Sequence, residues 1–155
     1  MTYTFTVAKG SQERGESMDE TRAADVWWTG RGLVFEAKGT EPATPSLVVD
    51  GDGSEGVSPM QQLLIAAGAC AAIDIVVILE KMRAEPTVVR VAVSGERAPE
   101  HPKRFLSMQL HFEVGGGKVD LSKVDRAVEL SMKKYCSVMN TLDSSVELTY
   151  DTALV

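Results

Sequence analysis

The chain reads as an α+β domain, with a mainly antiparallel sheet packed around one long buried helix. Three observations predict this. Between Leu63 and Leu79 only Gly68 and Asp74 interrupt an apolar run, and a helix-start signal, Ser58-Pro59, stands just before it. Arg104 to Val114 alternates apolar and polar residues over the length of a strand. Short alternating stretches precede the apolar run, and a second amphipathic helix and a closing strand follow it. At 155 residues the chain is one domain by its length, large enough to bury about two thirds of its unfolded surface.

Taken in order, Tyr3, Phe5 and Val7 alternate with Thr4, Thr6 and Ala8, the pattern of a short strand with one buried face. Residues 10–22 are polar without an apolar period and read as a loop or mobile arm. Val26 to Lys38 returns to strand composition. Leu33, Phe35 and Ala37 share one face, Val34, Glu36 and Lys38 the other, and Gly30 and Gly32 mark a turn or bulge between two strand segments. Ser46 to Val49 is a further short strand, and Asp50-Gly-Asp-Gly-Ser-Glu-Gly leads into the helix.

The helix itself runs over Ser58 to Arg83. Ser58 can cap the first free N–H groups, and Pro59 suits the first helical position because the N–H it lacks would be unpaired there. The apolar residues wrap every face, so the helix must be covered on most sides. The run is slightly short of the roughly 20 residues that span a bilayer, and Asp74 lies in its second half. Pro86 ends the helical run, and Thr87 to Ser94 is strand-like. Glu96 to Lys103 is a loop. In the next strand Leu106, Met108, Leu110, Phe112 and Val114 face inward, and Phe105, Ser107, Gln109, His111 and Glu113 face the other way. Gly115-Gly-Gly is a turn. A second helix starts near Ser122, with Asp125 completing an approximate capping box, and carries the stripe Val124, Val128, Met132 and Tyr135. Ser137 to Leu142 is one more helical turn, and Ser145 to Asp151 is a final strand through Val146, Leu148 and Tyr150.

An apolar content of 44% and a charged content of 25% are those of an ordinary soluble globular protein. A net charge of −6 argues against nucleic acid and anionic membranes as partners, because both need a concentrated basic surface. Met-Thr-Tyr-Thr-Phe-Thr-Val shows no basic region followed by an apolar core, so no export signal is expected and the cytoplasm is the expected location. Two cysteines, Cys70 and Cys136, are too few for a disulfide scaffold. In a reducing compartment such a pair is structural, metal-binding or redox-active.

The words around the two cysteines carry a resemblance. Ser-Pro-Met-x-x-Leu-Leu-x-Ala-Ala-Gly-x-Cys-x-x-Ile-Asp-Ile-Val-x-Ile-Leu, from Ser58 through Cys70, is followed far downstream by Lys-Tyr-Cys-Ser-Val around Cys136. The pair resembles the osmotically inducible protein C and organic hydroperoxide resistance superfamily (OsmC/Ohr), and Cys-x-x-Ile-Asp is similar to its YhfA-like branch. The resemblance covers roughly residues 23–155 of a single OsmC-like domain and leaves 1–22 as an N-terminal extension. It implies an intertwined homodimer with two active sites at the subunit interface. It also implies a cysteine peroxidase that acts on organic hydroperoxides without a cofactor.

Peroxide reduction needs a thiolate to attack the O–O bond and a second thiol to condense with the sulfenic acid. By resemblance Cys70 attacks and Cys136 resolves, and an external thiol or dithiol reduces the resulting disulfide. Burial alone would make Cys70 inert, so a cation is expected near it. The better-known members supply an arginine from the N-terminal strands and a glutamate just after the helix-opening proline. Here Met60, Gln61 and Gln62 follow Pro59, so that carboxylate is absent. Gln61 fits its slot, and Arg31 is the candidate cation, with Arg22 second. Asp74, one turn beyond Cys70 on the same face, either holds an arginine that serves the thiol or is simply paired because it is buried. For Cys70 itself the bland reading is a small core residue. On local chemistry Cys136 is the more acidic thiol, after Lys133 and Lys134 and at the start of a helical turn; the resemblance assigns the roles the other way.

The other constellations are bland. Cys70, Cys136, His101 and His111 are scattered and lack zinc-site spacing, so no metal is expected, and both histidines read as surface residues. Asp50-x-Asp-x-Ser starts like a calcium loop but lacks its glycine and bidentate glutamate, and is a turn. Of Trp27 and Trp28 one faces outward, toward a dimer interface, a substrate pocket or solvent. The alternative to a peroxidase is an OsmC-like protein that binds an apolar or acyl ligand in a dimer-interface pocket, a reading favoured by the missing glutamate.

Overall fold

The computed structural model describes residues 22–41 and 43–155, so the predicted strand at Tyr3–Ala8 and nearly all of the polar stretch 10–22 lie outside the described residues. Strands β1 (Ala24–Trp28), β2 (Val34–Gly39) and β3 (Leu47–Asp50) form an antiparallel sheet in that order. The turn between β1 and β2 uses the two predicted glycines. Gly30 and Gly32 have φ of 87° and 48°, a region open to glycine without steric cost. Trp27 and Trp28 are both exposed, and the Trp28 indole donates to the Gly32 carbonyl at 3.1 Å.

The loop after β3 folds around a buried carboxylate. Asp50 accepts the backbone N–H groups of Asp52, Ser54 and Glu55 at 2.9, 2.8 and 2.9 Å and the Ser54 hydroxyl at 3.0 Å. These donors hold its pKa down to about 2. The acid-rich loop is thus a turn closed on its own backbone, as its departures from a calcium loop imply.

Helix α1 (Pro59–Lys81) begins as expected. The Ser58 hydroxyl accepts the Gln61 N–H at 3.4 Å, and Gln61 Oε1 accepts the Ser58 N–H at 3.2 Å, a reciprocal capping box. The helix ends earlier than Pro86. It stops at Lys81 and turns through Arg83 and Glu85, both at positive φ (56° and 52°), before Pro86 opens the next strand. Only Ala67, Gly68, Ala71, Ile75 and Leu79 are buried. Gly68 permits a close approach: a Cβ there would stand 2.8 Å from Val93 Cγ2. Cover on most sides, expected from the sequence, is not reached within one chain. Ile65 and Ile73 remain 57% and 64% exposed.

Strands β4 (Pro86–Arg97), β5 (Phe105–Gly116) and β6 (Glu147–Leu154) form the second sheet, in the order β4-β5-β6. β4 and β5 are antiparallel, but β6 runs parallel to β5, so this sheet is mixed where an antiparallel one was expected. The chain leaves β5, crosses through two helices and returns in the same direction, which is what a parallel pair requires. Met108, Leu110, Phe112 and Val114 of β5 face the core as predicted. The first two positions are reversed. Glu96 pairs with Ser107 and Arg97 with Phe105, so Leu106 is an extra residue in a bulge, exposed while Phe105 is buried.

Helix α2 (Leu121–Leu130) is capped by Asp120 rather than Ser122: its carboxylate accepts the Lys123 N–H at 2.9 Å and the Ser122 hydroxyl at 2.6 Å. Asp120 is the stronger cap because a carboxylate also answers the positive helix end. A π-helical turn, Ser131–Tyr135, follows directly and leads into α3 (Ser137–Thr141). The core lies between α1, the β4–β5 face and α2.

Candidate functional site

Two elements bring the site residues together. On α1, Cys70 and Asp74 stand at i and i+4, one turn apart on one face. On the facing segment the π-helical turn positions Cys136. Its N–H bonds the Ser131 carbonyl at 2.9 Å, five residues back, where an α-helix would reach four. The inserted residue advances the stripe by about 100°. Ser131 and Cys136 consequently face the core, and Tyr135, expected on the apolar stripe, is 48% exposed.

The result is a compact cluster. Cys70 Sγ, Cys136 Sγ and a carboxylate oxygen of Asp74 all lie within 4.8 Å of one another, although Cys136 is 66 residues beyond Cys70. Both cysteines are free thiols, Cys136 buried and Cys70 partly so. Ser131 Oγ donates to Asp74 Oδ2 at 2.9 Å. Asn140 Nδ2 donates to the Cys136 carbonyl at 2.9 Å and ties the end of the π turn to α3.

The electrostatics reverse the local reading of Cys136. Burial pushes its thiol up to about 11, against the Met139 N–H, which favours the thiolate, and together with the Cys70 thiol and the Asp74 charge, which oppose it. The lysines that suggested an acidic thiol are engaged elsewhere. Lys133 Nζ is 2.8 Å from Glu129 Oε1, and Lys134 lies over the Tyr135 ring, 5.1 Å from its centre. At neutral pH Cys136 therefore holds its proton.

The remaining sequence candidates have other partners. Arg31 pairs with Glu55 at 2.7 Å, and Arg22 with Glu41 at 3.2 Å. Gln61 belongs to the helix cap, nine residues and thus roughly 13 Å along α1 from Cys70. Asp74 forms no ion pair with a lysine, arginine or histidine among the described residues; its hydrogen-bond donor is Ser131. His111 contacts Asp151 and approaches Glu113 at 3.9 Å, on the exposed face of the second sheet, and His101 is exposed in its loop. Ser131 was missed by the sequence reading. Its signal was a small polar residue between Val128 and Met132, inside an apolar stripe.

A cleft of about 290 Å³ reaches Asp74, lined by Val77, Ile78, Met82, Leu130 and Tyr135, with Lys81 beside them. A separate cavity of about 520 Å³ lies near the start of α1, between Met60, Leu63, Phe105, Met108 and Leu142, with Arg97, Lys103 and Arg104 also lining it. Chemically, the cluster offers two thiols close enough to exchange electrons, a carboxylate able to move a proton, and three donors able to hold a metal ion.

Fold and cluster together define a two-thiol α+β protein built on a long helix between a β-sheet and a second helix. The family profile described as "OsmC-like protein" matches residues 51–151. "Protein YhfA" of Escherichia coli strain K12 is 39% identical over 133 residues, which cover 85% of this chain and 97% of that protein. The chain belongs to the OsmC-like family. An OsmC-like protein from Mycoplasma pneumoniae superposes with a TM-score of 0.74 at 17% identity, covering 89% of this chain and 99% of the other. An organic hydroperoxide resistance protein OsmC from Legionella pneumophila does so with a TM-score of 0.65 at 16% identity, covering 88% and 99%. At these identities the two structures speak to the fold.

Proposed function

We propose that this chain is a cytoplasmic thiol peroxidase that reduces organic hydroperoxides and works as a homodimer. The observation that carries the reading is the placement of the Cys70 and Cys136 sulfurs within 4.8 Å of each other across a long stretch of sequence. The Cys70 thiolate attacks the terminal oxygen of R–O–O–H, the O–O bond breaks, and an alkoxide leaves to be protonated to the alcohol. Cys70 becomes a sulfenic acid. Cys136 then attacks that sulfur, and its proton and the departing hydroxide form water. Asp74 stands where it can take and pass that proton. An external dithiol reduces the disulfide by exchange and is itself oxidised.

The protonated state of Cys136 suits a resolving thiol, because a sulfur that keeps its proton does not compete for the peroxide. The cleft at Asp74 suits organic substrates, since apolar walls favour an alkyl peroxide over hydrogen peroxide. Family members solved elsewhere are named organic hydroperoxide resistance proteins, including one from Legionella pneumophila, which supports the substrate class. The second copy is supported by apolar surface that one chain leaves open: β1 is exposed throughout, with Val26 63% exposed, and α1 presents Ile65 and Ile73.

One observation favours a second reading, binding of an apolar ligand with an anionic head. The 520 Å³ cavity has apolar walls and is lined by three basic residues, Arg97, Lys103 and Arg104, against one acidic residue, Asp143, and it sits seven to ten residues, roughly 10–15 Å, along α1 from Cys70. Turnover of cumene hydroperoxide with a dithiol reductant separates the two. A peroxidase loses turnover in the Cys70→Ser protein, whereas consumption of hydroperoxide by that variant at the wild-type rate contradicts the proposal.

A further inference from the structure

We propose that Cys70, Asp74 and Cys136 also form a binding site for a thiophilic divalent cation, with zinc as the ion the donor set fits best. The two sulfurs and the carboxylate oxygen already lie within 4.8 Å of one another. In tetrahedral zinc, with bonds of about 2.3 Å to sulfur and 2.0–2.2 Å to oxygen, neighbouring donors stand roughly 3.6–3.8 Å apart. Each pair closes by at most about 1.2 Å, a change on the scale of small side-chain torsions. Cys70 and Asp74 are at i and i+4 on α1, the spacing that lets two side chains of one helix face share an ion. Cys136 approaches from the opposite element, so the three donors converge from two directions.

The surroundings fit a cation as well. Ser131 donates to one oxygen of Asp74 at 2.9 Å and orients the carboxylate, as outer-shell partners of metal ligands do. Among the described residues no lysine, arginine or histidine forms an ion pair with Asp74, so a divalent ion would meet a carboxylate that has no cationic side chain on it. Two thiolates select zinc over magnesium or calcium, which take oxygen ligands. Three protein donors leave a fourth position for water, the arrangement of an open site. Metal and disulfide exclude each other, because the disulfide removes both thiolate ligands. The proposal does not depend on hydroperoxide turnover.

The test uses the reduced full chain under anaerobic conditions, titrated with zinc in competition with a chromophoric zinc indicator and, separately, with cobalt(II). The expected result is one zinc per chain and a thiolate-to-cobalt charge-transfer band. Cys136→Ser and Asp74→Asn are expected to weaken zinc binding by more than tenfold, since even loss of an outer-shell partner costs about 10–100-fold. Diamide takes two electrons and two protons from the thiols, becoming the hydrazine, and the oxidised chain is expected to bind no zinc. Stoichiometry well under one, or equal zinc affinity in the two variants and the unmutated chain, would overturn the proposal. The cobalt spectrum of the unmutated chain decides even where a variant fails to fold: absence of the thiolate band overturns it.

Discussion

Raising the pH should cost this protein stability through Cys136 in particular. Its thiol is buried completely and is pushed from an ordinary value of 9.0 to about 11 in the folded chain. Below pH 9 the thiol is protonated in both the folded and the unfolded chain, and the stabilisation from burying it is fully present. Between pH 9 and 11 the unfolded chain releases this proton while the folded chain keeps it. Unfolding therefore becomes easier as pH rises, until the folded thiol also ionises. Two pH units of difference correspond to a loss on the order of 2–3 kcal/mol. Lysine and tyrosine titrate in the same range, so the assay compares urea unfolding of the wild-type and Cys136→Ala proteins at pH 8 and pH 11, at one protein concentration. The wild-type minus variant difference should shrink by that amount. A difference that stays constant across the range would refute the reasoning, since it would mean that the folded site does not hold the thiol neutral.

Other consequences are independent of that group. Ser131→Ala removes the donor to Asp74 and should destabilise the chain by about 1–2 kcal/mol, measured by chemical unfolding at neutral pH. Gly68→Ala should lower the melting temperature although alanine favours helices, because its Cβ would meet the stiff Val93 side chain at 2.8 Å and push α1 from the sheet. Asp50, held near pH 2 by its four donors, contributes stability above the ordinary aspartate value of 3.8 and loses it as pH falls toward 2. An Asp50→Asn protein should accordingly show a flatter acid-unfolding profile, and an unchanged profile would contradict the turn's role.

Much of this architecture was legible because its causes are local. Ser58 can cap the helix and Pro59 suits its first position, both within the same four residues, so the start of α1 follows from the sequence alone. Gly30 and Gly32 declare a turn by the backbone freedom it demands. What escaped depends on distant partners or on a single inserted residue. The direction of β6 is set by which edge of β5 lies open after the crossover, and nothing within Glu147–Leu154 records that. Leu106 breaks the alternation because β4 and β5 slip past each other at one position. The site shows the same division. Cys70 and Asp74 could be placed together by helical spacing, and the cysteine words pointed to Cys136. The π-helical turn that aims Cys136 at them, and brings Ser131 onto Asp74, leaves the residue pattern of an ordinary helix and shows only in its hydrogen bonds. The local chemistry that made Cys136 look the more acidic thiol misled for a related reason: the lysines adjacent in sequence engage Glu129 and Tyr135, and burial decides, in keeping with the roles the resemblance implied.

The most direct measurement is a thiol count on the reduced, chelator-treated protein before and after one equivalent of cumene hydroperoxide, followed by mass spectrometry of a non-reduced digest. Loss of both thiols within seconds, with a peptide joining Cys70 to Cys136, is the predicted result. Two thiols still free after many minutes, or an oxidised Cys70 without the link to Cys136, would contradict the redox pair.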